Sequence, residues 1–135
     1  MTKPQTFYIG GGMRGRPMHN FPEFFRVAMA LREADYCVVN PAEIDMANGM
    51  DPNSFPSNAE VRDMLRKDFA QILNKCTDLV LLPSWRASRG ACAEAVLAFY
   101  IGLPIWEWFW DAQRDDGYYM VLLEDHPEVL FACES

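Results

Sequence analysis

Residues 61–105 read VRDMLRKDFAQILNKCTDLVLLPSWRASRGACAEAVLAFYIGLPI. The pattern is helix, strand, helix, strand. In the first helical part, Val61, Met64, Leu65, Asp68 and Ile72 fall on one stripe at the helical repeat. Asp68 sits at the centre of that stripe. A carboxylate there costs free energy unless it is paired or lines a cavity. Residues 78–83, DLVLLP, are continuously apolar, as expected of a strand buried in a parallel sheet. In the second helical part Glu94 is the only charge between Arg89 and Glu107, and its helical neighbours Gly90, Ala91, Leu97 and Ala98 are small or apolar. Gly102 stops this helix, and a further strand begins at Pro104. Two lone acids near the edge of one strand are the kind of exception that marks a functional site.

The same alternation extends towards the N-terminus. Residues 6–9, TFYI, form a short strand ended by GGGMRG at 10–15. Asn20, Pro22 and Glu23 predict a helix start, and that helix runs to about Ala34. Residues 36–40 are a second strand. Residues 41–56 read as a long polar loop, of the kind that serves as a lid or partner contact. Ser57 and Glu60 form a capping box that opens the Asp68 helix. Beyond a polar linker at 111–117, residues 118–123 fit a strand or a helix equally well. The expected fold is α/β: one domain over residues 1–135, with an open, mostly parallel sheet and helices on both faces. Ligands of such sheets sit beyond the carboxyl ends of the strands, at the switch point. That points to residues 10–15, the loop after Asn40, and residues 84–90.

The 135 residues suit one domain with a substantial core, since half are hydrophobic. A net charge of −7 without Lys or Arg runs argues against binding a nucleic-acid polymer. No apolar run is long enough to span a membrane, and no signal-peptide segment precedes the first strand. Cys37, Cys76, Cys92 and Cys133 lack metal-ligand spacing and read as reduced packing thiols. The expectation is a cytoplasmic protein without a metal or cofactor.

Gly10, Gly12 and Gly15 match a dinucleotide fingerprint literally. The match is weak, because Pro17 and Asn20 delay the helix and the second strand ends in Asn40 instead of an acid. The loop reads better as an anion nest with Arg14 as its charged donor. Ser88, Arg89 and Gly90 open the Glu94 helix. Ser88 is a natural N-cap, and this N-terminus is also a ready phosphate site. Trp85 lies in a ligand-side loop where a base could stack, and His19 lies beside the same mouth. Asp68 and Glu94 form either a buried structural network with Arg14 or Arg89, or a nucleophile and a second acid. The latter is the minimal kit for retaining cleavage of a glycosidic bond.

The motifs YIGGGMRG at 8–15, RKDF at 66–69, DLVLL at 78–82, SRGACAE at 88–94 and GLPI at 102–105 together resemble the nucleoside 2-deoxyribosyltransferase superfamily. The likeness covers about residues 6–106. It is closest to the branch of 2'-deoxynucleoside 5'-monophosphate N-glycosidases and related small proteins that share RGRP at 14–17 and NFP at 20–22. The resemblance implies a flavodoxin-like (Rossmann-like) sheet of about five strands, with Glu94 as nucleophile and Asp68 as assisting acid. It implies that Tyr8 and the loop Gly10, Gly11, Gly12, Met13, Arg14 and Gly15 hold the sugar and phosphate. It also implies a homo-oligomer, a dimer or higher, that completes its pockets across an interface. Transferases acting on free nucleosides carry an acid six residues before the nucleophile. Ser88 stands there in this chain and favours a monophosphate. Ala93 and Ala95 replace the glycines that usually flank the nucleophile.

The expected function is therefore an N-glycosidase acting on a small-molecule nucleotide. The alternatives are a transferase moving deoxyribose between bases and a nucleotide-binding module without catalysis.

Overall fold

A computed structural model describes residues 4–13, 15–51 and 57–123. Its five strands are β1 (Thr6–Gly10), β2 (Cys37–Val39), β3 (Asp78–Leu81), β4 (Ile105–Trp110) and β5 (Tyr118–Leu122). The helices are α1 (Phe21–Glu33), α2 (Pro41–Ala47), α3 (Asn58–Lys75) and α4 (Arg89–Ile101). The sheet order is β2-β1-β3-β4-β5. Pairing is parallel from β2 to β4, and β5 runs antiparallel to β4. This is the flavodoxin-like α/β arrangement, and its switch point lies between β1 and β3.

Alternation along the strands builds two cores. Phe7, Ile9, Val80 and Leu82 face α1 with Phe24, Val27, Ala28 and Leu31. Tyr8, Leu79 and Leu81 face the other way, against Ile72 of α3 and Ala91, Ala95 and Ala98 of α4. The small residues of α4 let that helix approach the sheet closely, and Glu94 is drawn in with them.

Several boundaries follow the expected caps. Ser57 and Glu60 form the capping box of α3. Ser88 caps α4 by accepting the Ala91 N–H at 3.2 Å. Gly102 closes α4 at φ 79°. Asp78 ties the start of β3 to its neighbours. It accepts from the Thr77 hydroxyl at 2.7 Å and from the Trp106 indole at 2.9 Å.

Two expectations are corrected, and the open reading of residues 118–123 is decided. The segment after Asn40 is not a loop throughout, because residues 41–47 form α2. Asn40 accepts the Ala42 N–H at 3.0 Å, and Pro41 occupies the first turn. The rest of that expected loop falls partly at 52–56, outside the described residues. Residues 118–122 are a strand, fixed by pairing with β4. Cys37 and Cys76 are free thiols, whereas Cys92 is disulfide-bonded, against the expectation of packing thiols.

Asn40 is buried and also donates to the Phe24 carbonyl at 3.4 Å, joining α1 to α2. Asn40→Ala is expected to lower stability by about 1–2 kcal/mol through loss of this cap. Chemical denaturation would measure it, and a change below about 0.3 kcal/mol would contradict it.

Candidate active site

A cavity of about 540 Å³ opens at the carboxyl ends of β1 and β3. Its wall on the α3 side is Val61, Met64, Leu65 and Asp68. The predicted stripe of α3 therefore faces a cavity more than a core, and Ile72 is the one residue of that helix that is fully buried. This resolves the conflict raised by Asp68, whose carboxyl lines an opening. It forms no salt bridge among the described residues.

Glu94 enters from the second turn of α4 and is 6% exposed. Gly10 lies beside it, packed tightly against Leu81. A Cβ at position 10 would stand 3.5 Å from the Glu94 Oε1 and 3.1 Å from the Leu81 Cδ2. Tyr8, fully buried on β1, brings its hydroxyl between the two acids. That hydroxyl is near enough to act on both carboxyls, yet it completes no hydrogen bond of ordinary geometry with either.

The acids are held off their ordinary titration range. Burial pushes Glu94 up to about 8; the Tyr8 hydroxyl opposes this, and Asp68 and Asp45 add to it. Burial likewise raises Asp68 to about 7, with Asp45 contributing and Tyr8 opposing. Burial and the neighbouring carboxylates hold the Tyr8 hydroxyl well above its usual value. Burial thus favours the protonated form of both acids, and of Glu94 more than of Asp68. Such displaced carboxyls in a cleft are the signature of acid–base or nucleophilic sites.

The lining also contains cations and hydrogen-bond donors. Gly11, Gly12 and Met13 are part of it with Arg16 and His19. Ser88, Arg89 and Gly90 complete it at the N-terminus of α4. Because Ser88 Oγ accepts the Ala91 N–H, its own hydrogen remains available to a ligand. The Arg16 side chain lies against Gly12, where a Cβ would come 2.7 Å from the Arg16 Nε. The cavity thus combines acids with groups able to accept an anion.

Of the residues singled out in the sequence, Tyr8, Gly11, Gly12, Met13, His19, Asp68, Ser88, Arg89, Gly90 and Glu94 share this cavity. Arg14 lies outside the described residues. Gly15 does not line the cavity; it is exposed, at φ 77°. Gly10 does not line the cavity; its close neighbour is the Leu81 side chain. Trp85 is corrected as a stacking residue. It is 1% exposed, its indole donates to Glu107 at 3.3 Å, and the Arg86 guanidinium lies 4.4 Å from its ring centroid. The ring is part of the core and offers no face to a base.

A family model described as a domain of unknown function, DUF4406, matches residues 5–107. The chain belongs to this family. No curated protein matches it. All cavity residues fall inside the matched DUF4406 span, and β5 lies beyond it. The two alanines beside Glu94 behave differently in this DUF4406 domain. Ala93 lines the cavity, whereas Ala95 packs into the core beneath α4. Only Ala93 therefore narrows the space for a ligand.

Two features escaped the sequence reading. Arg16 lines the rim, although the nearby Arg14 drew the attention. Asp45 of α2 is a further buried acid, 5% exposed, whose charge acts on both Asp68 and Glu94. Burial raises it to about 6, while His19 and Lys67 oppose that shift. The Asn40, Pro41 and Glu43 pattern was the available signal for the helix that carries it. Among the described residues no group of three His, Cys, Asp or Glu side chains is placed to hold a metal ion. No helix among them is long and apolar enough to cross a membrane.

Proposed function

We propose that this DUF4406 domain is an N-glycosidase that cleaves the base–sugar bond of a 2'-deoxynucleoside 5'-monophosphate. The observation that carries the reading is the content of one cavity: Glu94, Asp68 and Tyr8 share its lining with the glycine loop, Arg16 and the Ser88 helix terminus. A volume of about 540 Å³ is in the range of small-ligand sites. A nucleotide bound there would place its phosphate on these donors and its glycosidic carbon towards the carboxyls.

The reactive form holds one proton on the Asp68–Glu94 pair and places it on Asp68, the reverse of what burial alone favours. The Glu94 carboxylate then attacks C1', the C1'–N bond breaks, and the base leaves with its electron pair. Protonated Asp68 gives its proton to the departing base. Its carboxylate then takes a proton from the water that attacks C1' of the glycosyl-enzyme and frees Glu94. The products are free base and deoxyribose 5-phosphate, with Asp68 protonated as at the start. A 2-deoxy sugar lacks an electron-withdrawing 2'-hydroxyl, so its oxocarbenium-like transition state is more easily reached. The Tyr8 hydroxyl supports the Glu94 carboxylate by favouring its charged form.

The test is chromatography of free base after incubation with each 2'-deoxynucleoside 5'-monophosphate, the matching nucleosides and the ribonucleotides. Release from one deoxynucleotide, lost in Glu94→Ala with the fold intact, is the expected result. Retained turnover in that variant would end the proposal. Release only from nucleosides, and only with an acceptor base, would make the protein a transferase. Tight nucleotide binding without release would make it a binding module, a reading that Ala93 at the cavity wall favours.

A further inference from the structure

Met18, His19 and Asn20 follow one another at φ 51°, 51° and 60°. L-residues visit the left-handed region singly as a rule. A run of three persists only where the surroundings over-determine it. Asn20 precedes α1 but does not cap it with its side chain. Its amide instead donates to the Gly12 carbonyl and to the Glu23 carboxylate, each at 3.1 Å. The other Glu23 oxygen accepts the Trp110 indole N–H, also at 3.1 Å. Trp110 ends β4, and its ring stands edge-on to Trp108 at 5.3 Å, with the Arg26 guanidinium 5.4 Å from its centroid. A chain of polar contacts thus runs from the sheet to the glycine loop.

This chain has a consequence for the cavity. In a trans peptide the C=O and the following N–H point in opposite directions. With the Gly12 carbonyl bound to Asn20, the Met13 N–H is turned the other way. Gly12 and Met13 both line the cavity, and the left-handed turn sets the buried His19 into the same wall. Aspartate at position 20 would tolerate the backbone but could not donate twice, and it would face Glu23 with like charge.

We propose that Asn20, held by Glu23 and Trp110, is a positioning residue that fixes the left-handed turn and the Gly12 peptide in the geometry that receives the phosphate end of the ligand. None of the three residues lines the cavity. The proposal deepens the glycosidase reading and rests on it.

Asn20→Gly removes the amide while keeping a residue at ease with positive φ. Trp110→Phe removes the indole N–H while keeping a ring. In the base-release assay, Asn20→Gly is expected to raise KM for the monophosphate about tenfold. KM for the matching nucleoside, which has no phosphate, should stay within about twofold, and Trp110→Phe should move both values in the same sense by less. An equal change for both substrates, or none, would overturn the assignment. A second measurement separates this failure from failure of the glycosidase reading itself. The His19 imidazole NMR signal in the ligand-free protein should shift in both variants whether or not any nucleotide is turned over. An unmoved signal would show that the relay does not hold the turn, and the proposal would fall.

Discussion

Glu94→Gln is expected to stabilise the protein by about 2–4 kcal/mol at pH 8.5 and to destabilise it by about 1–3 kcal/mol at pH 4.5, while abolishing base release. The sign follows from the direction of the shift. The folded protein holds Glu94 with a titration point of about 8, whereas the ordinary value is 4.5. Below the ordinary value both folded and unfolded chains carry the proton, and the group is neutral to stability. As pH rises from there towards 8, the unfolded chain releases its proton and the folded chain keeps it. Stability therefore falls through this window, and above it the folded state bears the full cost of a buried charge.

Each pH unit between the two values is worth about 1.4 kcal/mol. Glutamine removes that cost but leaves a buried amide needing partners, which takes back about 1–3 kcal/mol. The remainder corresponds to a rise in Tm on the order of 10 °C at pH 8.5. Scanning calorimetry of both proteins at the two pH values would measure it. Equal shifts at both pH values, or no gain at the higher one, would show that Glu94 is not held as described. Asp68, raised to about 7 by the same cause, contributes in the same direction, so the wild type itself should lose stability between about pH 4 and 8. A protein that gives up this much at one position keeps the acid for what it does there, which is the trade between stability and activity seen at functional sites.

The sequence made the central part of this architecture legible because its signals are strong and local. Residues 57–105 contain a capping box, a continuous apolar strand and a small-residue helix ended by glycine, and each leaves little choice of structure. Asp68 and Glu94 stood out because a lone acid on an apolar face is costly wherever it lands. What the pattern lacked was information carried by tertiary contact. Trp85 lies at the correct end of the sheet, but its indole bonds Glu107 of β4, 22 residues on, a partner it meets only after folding, and the adjacent Arg86 covers its ring. The seven-residue α2 is too short to show a periodicity, so Asp45 stayed hidden behind a segment that looked like loop. Asn20 gave a cap signal and indeed precedes a helix. Its side chain is taken by Gly12 and Glu23 because the left-handed backbone aims it there. Residues 118–122 owe their extended form to pairing with β4, which no local preference announces.

Ser88→Asp is expected to convert the site from phosphate-accepting to phosphate-rejecting without unfolding the protein. Aspartate caps a helix as well as serine does, so acceptance of the Ala91 N–H should survive and α4 should stay in place. The negative charge also suits a helix N-terminus. A phosphate at the same rim would, however, meet a carboxylate. Two like charges about 5 Å apart at an effective dielectric of about 20 repel by roughly 3 kcal/mol. At 1.4 kcal/mol per tenfold, kcat/KM for the monophosphate should fall by about 100-fold or more. The matching nucleoside should be unaffected or improved, because the new carboxylate can accept its 5'-hydroxyl. Raising the salt concentration should recover part of the loss, since the repulsion is screened at a rim open to solvent. The measurement is kcat/KM for both substrates at low and high ionic strength, alongside Tm. Equal losses for nucleotide and nucleoside would place the damage in the fold or in the Glu94 helix. An unchanged preference would move the phosphate away from Ser88 and leave Arg16 and the glycine loop as its only rim.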